Sequence, residues 1–267
     1  MGRLEDKVAI VIGAGQSPGD SIGNGRATAL RFAQEGAFVL AADRNLASAE
    51  ETVSMMEPVD KAAIACDVVD TATIKATIDF AMDRWGRIDI LHYNVGVSIA
   101  GGDSDLANFD ENAFDRVMHI NLRGAIMAAK FVQPIMRAQK AGVVLNVASM
   151  TAIETHTPNV AYRASKAGLI AFTEQFAIHN APFGMRANAI LPGMMETSMA
   201  VDTRARLSGR PREEIIAERN ARVPLRNKGG SGWDIANAAL YLASEEANFI
   251  TGISLPVEGG ALVKIGW

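Results

Sequence analysis

Tyr162 and Lys166 stand four residues apart in the segment Ala161-Tyr-Arg-Ala-Ser-Lys-Ala-Gly168. On a helix that spacing puts both side chains on one face, about one turn from each other. A lysine ammonium held beside a phenol favours phenolate. Two unit charges roughly 5 Å apart interact by about 3 kcal/mol at an effective dielectric of about 20, equivalent to about two pKa units. A phenol whose ordinary pKa is near 10 then titrates close enough to neutrality to take or give a proton. Tyr and Lys fall four apart on many helices by chance, so the pair gains meaning from its company. Ser149 lies thirteen residues upstream of Tyr162, Asn121 lies upstream of that, and a Gly-rich stretch opens the chain.

That stretch reads Gly13-Ala-Gly-Gln-Ser-Pro-Gly-Asp-Ser-Ile-Gly-Asn-Gly25 and runs into a helical pattern near Arg26. Glycines at a strand-to-helix turn let backbone approach a pyrophosphate, whose charge the helix N-terminus favours. Asp43 ends the second apolar run, where a carboxylate accepts hydrogen bonds from the adenosine ribose hydroxyls. The same carboxylate repels a 2′-phosphate, which favours NAD over NADP. Arg44 is the counter-signal, since a guanidinium there could hold that phosphate. The bland alternatives are a flexible turn for the glycines and a helix cap for Asp43.

The elements that position these residues follow from periodicity. Strands are expected at Val8–Ile12, Phe38–Ala42, Ala62–Cys66, Ile90–Tyr93, Val143–Ala148, Arg186–Leu191 and Ile253–Val257. Helices are expected at Arg26–Gln34, Ala47–Met56, Thr71–Trp85, Asn112–Gln139, Val160–Asn180 and Trp233–Ala243, the third capped by Asp70 or Thr71. Buried strands alternating with helices predict an α/β fold: one Rossmann-type, doubly wound parallel sheet of about seven strands, helices on both faces, in a single domain over 1–267. Residues 196–232 break the rhythm, with Arg204, Arg206, Arg210, Arg212, Arg219, Arg222 and Arg226 among few apolar runs. Such an excursion is a solvated helical insertion or a lid; its place directly after Pro192-Gly193 favours a substrate lid.

Composition narrows the function classes. A chain of 267 residues, 49% hydrophobic and 21% charged, can bury one large core. A net charge of -4 gives no electrostatic reason to expect nucleic acid or an anionic membrane as partner. Cys66 is the only cysteine, so an intramolecular disulfide is excluded, and His92, His119, His156 and His179 lack metal-ligand spacing. The N-terminus shows no apolar signal region and nowhere do eighteen apolar residues run together, which reads as a cytoplasmic protein.

With these pieces assembled, the sequence resembles the short-chain dehydrogenase/reductase family, the branch with Tyr-x-x-x-Lys, over essentially the whole chain. Asn94-Val-Gly96 is similar to the family's Asn-Ala-Gly. Asn121 in Ile-Asn-Leu, Ser149 in Val-Ala-Ser, Tyr162 and Lys166 match its catalytic tetrad in order and spacing. Pro192-Gly-Met-Met-Glu-Thr197 matches Pro-Gly-x-x-x-Thr, and Thr251-Gly252 with Gly259-Gly260 match the C-terminal strand region. The glycine loop departs from the family's Gly-x-x-x-Gly-x-Gly: nine residues separate Gly13 from Gly23, six more than usual. Ser21-Ile-Gly-Asn-Gly25 is similar to an element of the divergent enoyl-carrier-protein reductases, which space their Tyr and Lys seven apart, unlike this chain. Gly13, Gly23 and Gly25 are the structural equivalents, with Ile22 and Asn24 contacting cofactor through backbone.

The resemblance implies a chemistry. Ser149 donates a hydrogen bond to the substrate oxygen, and Tyr162 accepts the alcohol proton as hydride leaves for the nicotinamide. Lys166 lowers the Tyr162 pKa and holds the nicotinamide ribose; Asn121 bends its helix and supports a water chain from Lys166. Asn94 and Gly96 line the cofactor site. Asp67 and Val68 cap the adenine, an ordinary turn being the alternative for Asp67. Pro192, Gly193 and Thr197 flank the carboxamide. Ser149, Met150, His156, Met194, Met195 and Met199 line the substrate pocket, the methionines giving an apolar, adaptable wall or equally packing for the lid. His156 is a second acid or a plain loop histidine. Ala161, Ala164, Gly168 and Ala171 form a small-residue stripe suited to a homotetramer, or a dimer, with packing inside the monomer as the alternative. The function implied is an NAD(H)-dependent oxidoreductase interconverting a secondary alcohol, apolar or cyclic, and a ketone, with no metal. The competing readings are an NADPH-dependent ketone or 3-oxoacyl-thioester reductase, and a nucleotide-binding regulator without catalysis.

Overall fold

A computed structural model describes residues 2–56, 59–108, 110–155 and 157–264. Seven strands form one parallel sheet: β1 (Val8–Ile12), β2 (Phe38–Asp43), β3 (Lys61–Ala65), β4 (Ile90–Tyr93), β5 (Gly142–Val147), β6 (Met185–Pro192) and β7 (Ser254–Val257), in the order β3-β2-β1-β4-β5-β6-β7. β1 is buried at every residue, as its Val-Ala-Ile-Val-Ile run demands of a strand covered on both sides. Its alternate residues feed different cores. Ile10 and Ile12 pack with Ile74, Val132 and Leu169 on one face, while Ala9 and Val11 pack with Leu30, Phe32 and Ile235 on the other.

The helices are α1 (Asn24–Gln34), α2 (Leu46–Ser54), α3 (Thr71–Trp85), α4 (Glu111–Met118), α5 (Gly124–Gln139), α6 (Val160–Asn180), α7 (Asp202–Ser208), α8 (Arg212–Asn220) and α9 (Gly232–Ala243). Asp70 caps α3 by accepting from the Ala72 amide at 2.9 Å, as its sequence position predicts. Each expected strand appears, β1 and β4 with the expected ends and the others with ends shifted by at most one residue. Because β1 leads outward to β2 and β3 while β4 lies on its other side, a crevice opens at the carboxyl ends of β1 and β4.

Two departures matter for the site. The helix expected over Asn112–Gln139 is two helices joined by a π-turn, His119–Arg123. Helical periodicity carries through a π-turn, so the break leaves little trace in the pattern. Its cause lies in tertiary contacts: the Tyr93 hydroxyl donates to the Ile120 carbonyl at 2.5 Å, and a Cβ on Gly124 would overlap that hydroxyl. The second departure is that the helical insertion or lid expected over residues 196–232 holds two separate short helices, α7 and α8.

Candidate active site

The glycine loop interlocks three elements at the crevice. A Cβ on Gly25, at the start of α1, would overlap the Gly13 carbonyl oxygen, and the Asn94 side chain at the end of β4 donates to that same oxygen at 3.2 Å. Gly13 has φ +86°, a conformation costly for a residue with a side chain. Gly23 caps α1 without a side-chain bond, so the helix presents its first amides toward the crevice, and the buried Asn24 Oδ1 has no partner among the described residues. These features fit a dinucleotide pyrophosphate. Asp43 ends β2 with Oδ2 accepting from Gly15 N and Oδ1 from Asn45 N, both at 3.0 Å. The cap of α2 is Asn45, not Asp43. Arg44 is exposed beside it. At the end of β3, Asp67 turns its own chain by accepting from Val69 N at 3.0 Å, while Val68 is buried against Gly124.

The extra loop residues reach across to the arginine-rich segment. The Gln16 side chain accepts from Gly23 N at 2.9 Å, the Ser21 carbonyl accepts from Ser198 Oγ at 2.6 Å, and Arg212 donates to Ser21 Oγ at 2.6 Å. Arg212 also bonds Asp202 at 2.8 Å. A Cβ on Gly19 would overlap the Asp202 carboxylate, so the two pieces touch at glycine. Ile22 packs beside Trp233 against the α1–α9 core.

At the other end of the crevice the four expected catalytic residues come together. The Ser149 hydroxyl stands beside the Tyr162 phenol and favours its ionised form, and Thr151 Oγ1 donates to Ser149 Oγ at 2.8 Å. Lys166 Nζ lies 5.9 Å from the Tyr162 ring centroid and donates to the Val147 carbonyl at 2.8 Å. Asn121, fully buried in the π-turn, accepts from Val97 N at 2.8 Å and donates to Val97 O at 2.9 Å and to Ser165 Oγ at 3.0 Å. Gly96 sits between them: a Cβ there would lie 3.1 Å from Lys166 Nζ and 3.6 Å from Asn121 Oδ1.

Electrostatics here differ from the sequence expectation. Burial pushes the Tyr162 phenol above its ordinary value, opposed by the Ser149 hydrogen bond and by the charges of Arg204 and Arg219. Burial also brings the Lys166 ammonium down to about 7. Spacing alone predicts a fully charged lysine; in the fold, loss of water acts on both partners of the pair.

Four contributors were not legible as such. Asp103, buried, accepts from Ala161 N at 3.1 Å and Tyr162 N at 2.9 Å, fixing the first turn of α6. Thr151 orients Ser149. Arg204 and Arg219, seen only as part of a charge-rich run, lie within electrostatic reach of the phenol. Asp103 gave no signal because fifty-nine residues separate it from Tyr162.

Beyond β6, a Cβ on Gly193 would meet Glu258 backbone at 2.6 Å and Met150 Sδ at 3.2 Å, which explains the Pro192-Gly193 turn. Thr197 is buried, its hydroxyl accepting from Ala200 N at 3.4 Å. Met150 and Met194 form a small apolar cluster with Val223, Ala261 and Leu262. Met195 instead joins the core under α1 and α9, against its expected place in a pocket, because its side chain turns toward Gly230 and α9. Met199 is exposed. His156 lies outside the described residues.

Comparison with known proteins agrees with this geometry. Residues 19–261 match the family model described as enoyl-(acyl carrier protein) reductase. The chain is similar to 3-oxoacyl-[acyl-carrier-protein] reductase FabG of Thermotoga maritima, 33% identical over 98% of this chain and 100% of the relative. It is 32% identical to levodione reductase of Leifsonia aquatica, over 97% of this chain and 95% of that one. A crystal structure described as a putative short-chain dehydrogenase/reductase from Burkholderia xenovorans superposes with a TM-score of 0.93 at 38% identity, over 100% of both chains. Among the described residues no helix is long and apolar enough to cross a membrane. The chain thus belongs to the short-chain dehydrogenase/reductase family and is an NAD(P)-dependent oxidoreductase acting on CH–OH groups.

Proposed function

We propose that this enzyme interconverts a secondary alcohol and a ketone with NAD, Tyr162 serving as general acid or base. The observation behind this reading is the placement of Ser149 and Lys166 beside the Tyr162 phenol at the β1–β4 crevice, with Lys166 Nζ 5.9 Å from the ring centroid. A carbinol oxygen placed against both hydroxyls would be polarised by Ser149 and relieved of its proton by Tyr162. The bound nicotinamide accepts the hydride in oxidation and donates it in reduction. Lys166 holds the ribose, Asn121 fixes the strand-four loop beside Lys166, and the α1 amides with Gly13, Gly23 and Gly25 hold the pyrophosphate. Asn94, Gly96, Pro192, Gly193 and Thr197 complete the nicotinamide side, and Asp67 with Val68 the adenine side. Asp43, directed at the loop from the end of β2, supports NAD over NADP.

Residues 196–232 act as the substrate lid in this reading, and a homotetramer in the cytoplasm accompanies it. The similarity to a 3-oxoacyl-carrier-protein reductase and the exposed Arg44 support a second reading, NADPH-dependent reduction of a 3-oxoacyl thioester.

Tyr162→Phe separates chemistry from binding. Expected is a fall in kcat/KM of at least about a hundredfold, with the NADH dissociation constant within about twofold of the native value. Activity near native removes Tyr162 from the mechanism, and native turnover that prefers NADP over NAD selects the second reading.

A further inference from the structure

The arginine-rich segment distributes its charges unevenly. Arg210 pairs with Glu214 at 3.7 Å and Glu218 at 3.0 Å, and Arg212 pairs with Asp202 at 2.8 Å and Glu196 at 3.7 Å. Those contacts occupy four of the segment's carboxylates. Arg204 and Arg219 are left with backbone acceptors only: Arg204 donates to the Ala200 carbonyl at 2.8 Å, and Arg219 to the Met195 carbonyl at 3.0 Å. A carbonyl orients a guanidinium but does not neutralise it. Among the described residues neither has a carboxylate within ion-pair distance, both are half-buried, and both act on the Tyr162 phenol.

Two unneutralised guanidiniums near each other are unfavourable unless something anionic joins them. Burial, with repulsion from Arg204 and Arg222, brings Arg219 down to about 10. Burial also lowers Arg204. Both guanidiniums act on the Tyr162 phenol, and Arg219 is held at the Met195 carbonyl, just past the Pro192-Gly193 turn. Arg forks match oxyanions bidentately, and a half-buried setting strengthens the match.

Resting on the proposed alcohol–ketone chemistry, we infer that Arg204 and Arg219 form an oxyanion subsite, so that the substrate is a hydroxy or oxo compound carrying a carboxylate, or an equivalent sulfonate or phosphate, on the arm away from the reacting carbon. Met150, next to Ser149, and Met194, next to the Pro192-Gly193 turn, share one buried apolar cluster, and an apolar body on the substrate with one anionic end suits these surroundings.

The test measures binding to the enzyme–NADH complex by nucleotide fluorescence, which does not depend on turnover. Probes are oxo carboxylates of graded length, each beside its methyl ester, with sulfonate and phosphate analogues of the best length as separate arms. The native complex is expected to bind the best acid at least about thirtyfold more tightly than its ester. That acid-to-ester ratio should fall toward one in Arg204→Gln and Arg219→Gln, and stay native in Arg206→Gln, an exposed residue of the same helix. The analogue arms decide which oxyanion is preferred. Equal binding of acid and ester by the native complex overturns the subsite. So does a ratio that falls as much in Arg206→Gln, or an arginine variant whose NADH affinity drops in parallel, which assigns the cations to the cofactor. Acid preference without turnover of any probe supports the subsite and defeats the alcohol–ketone reading; turnover of neutral ketones without acid preference does the reverse.

Discussion

The floor of the site and the segment above it are built in opposite ways. On the floor, Asn121, Asp103 and Lys166 are buried and bonded to backbone of strand ends and helix starts: Val97, Ala161, Tyr162 and Val147. Over it, α7 and α8 are short, their arginines are half-buried or exposed, and their ion pairs join neighbours within the same segment. Displacing a floor group leaves an unsatisfied polar atom in the core, whereas displacing an arginine at the rim exposes it to water. The proposed general chemistry therefore sits where change is costly, and the proposed substrate contacts sit where change is cheap.

The contrast is broken most easily at Asp103. Asp103→Ala removes two acceptors from the first turn of α6 and should cost about 2 kcal/mol of stability, with kcat reduced about tenfold. Asp103→Asn keeps an acceptor and should recover much of the stability. It also removes a charge that raises the Tyr162 phenol, so the limb on which oxidation activity rises with pH should move to lower pH. If Asp103→Ala matches native enzyme in thermal melting and kcat, the floor is not fixed as described.

Lys166 gives a smaller effect of opposite sign. Its folded pKa of about 7 lies below the ordinary value of 10.5. Between those values the unfolded chain binds more protons, so its contribution to stability is complete above pH 10.5 and is lost as pH falls through 7. Lys166→Met should then be inactive yet more stable at pH 7, by about 1 kcal/mol after loss of the Val147 bond. The gain should vanish above pH 10.5, and melting curves across that range decide the point. At the rim, Arg210→Ala breaks two exposed ion pairs and should change stability by less than about 0.5 kcal/mol. A loss comparable to that of Asp103→Ala would erase the distinction between the two regions.

Much of this was readable from residue order. Strands covered on both faces announce themselves as unbroken apolar runs, and the spacing of Ser149, Tyr162 and Lys166 survives folding because one strand end and one helix carry all three. What escaped was whatever depends on a distant partner. The π-turn owes its shape to Tyr93 and Gly124, the first turn of α6 to Asp103, and the charge on Lys166 to burial that spacing cannot report. Met195 packs in the core for a related reason: next to a turn, one residue decides whether a side chain faces the crevice or the core.

Ser21 is gripped from both sides, by Ser198 through its carbonyl and by Arg212 through its hydroxyl. Stitches of this kind make stretches far apart in sequence a single inheritable unit. Grafting residues 196–232 from a relative with a shorter glycine loop would remove Ser198, Asp202 and Arg212 and leave Gly19 and Ser21 without those neighbours. Chimaeras built to alter what the enzyme accepts therefore need residues 16–21 to travel with the graft.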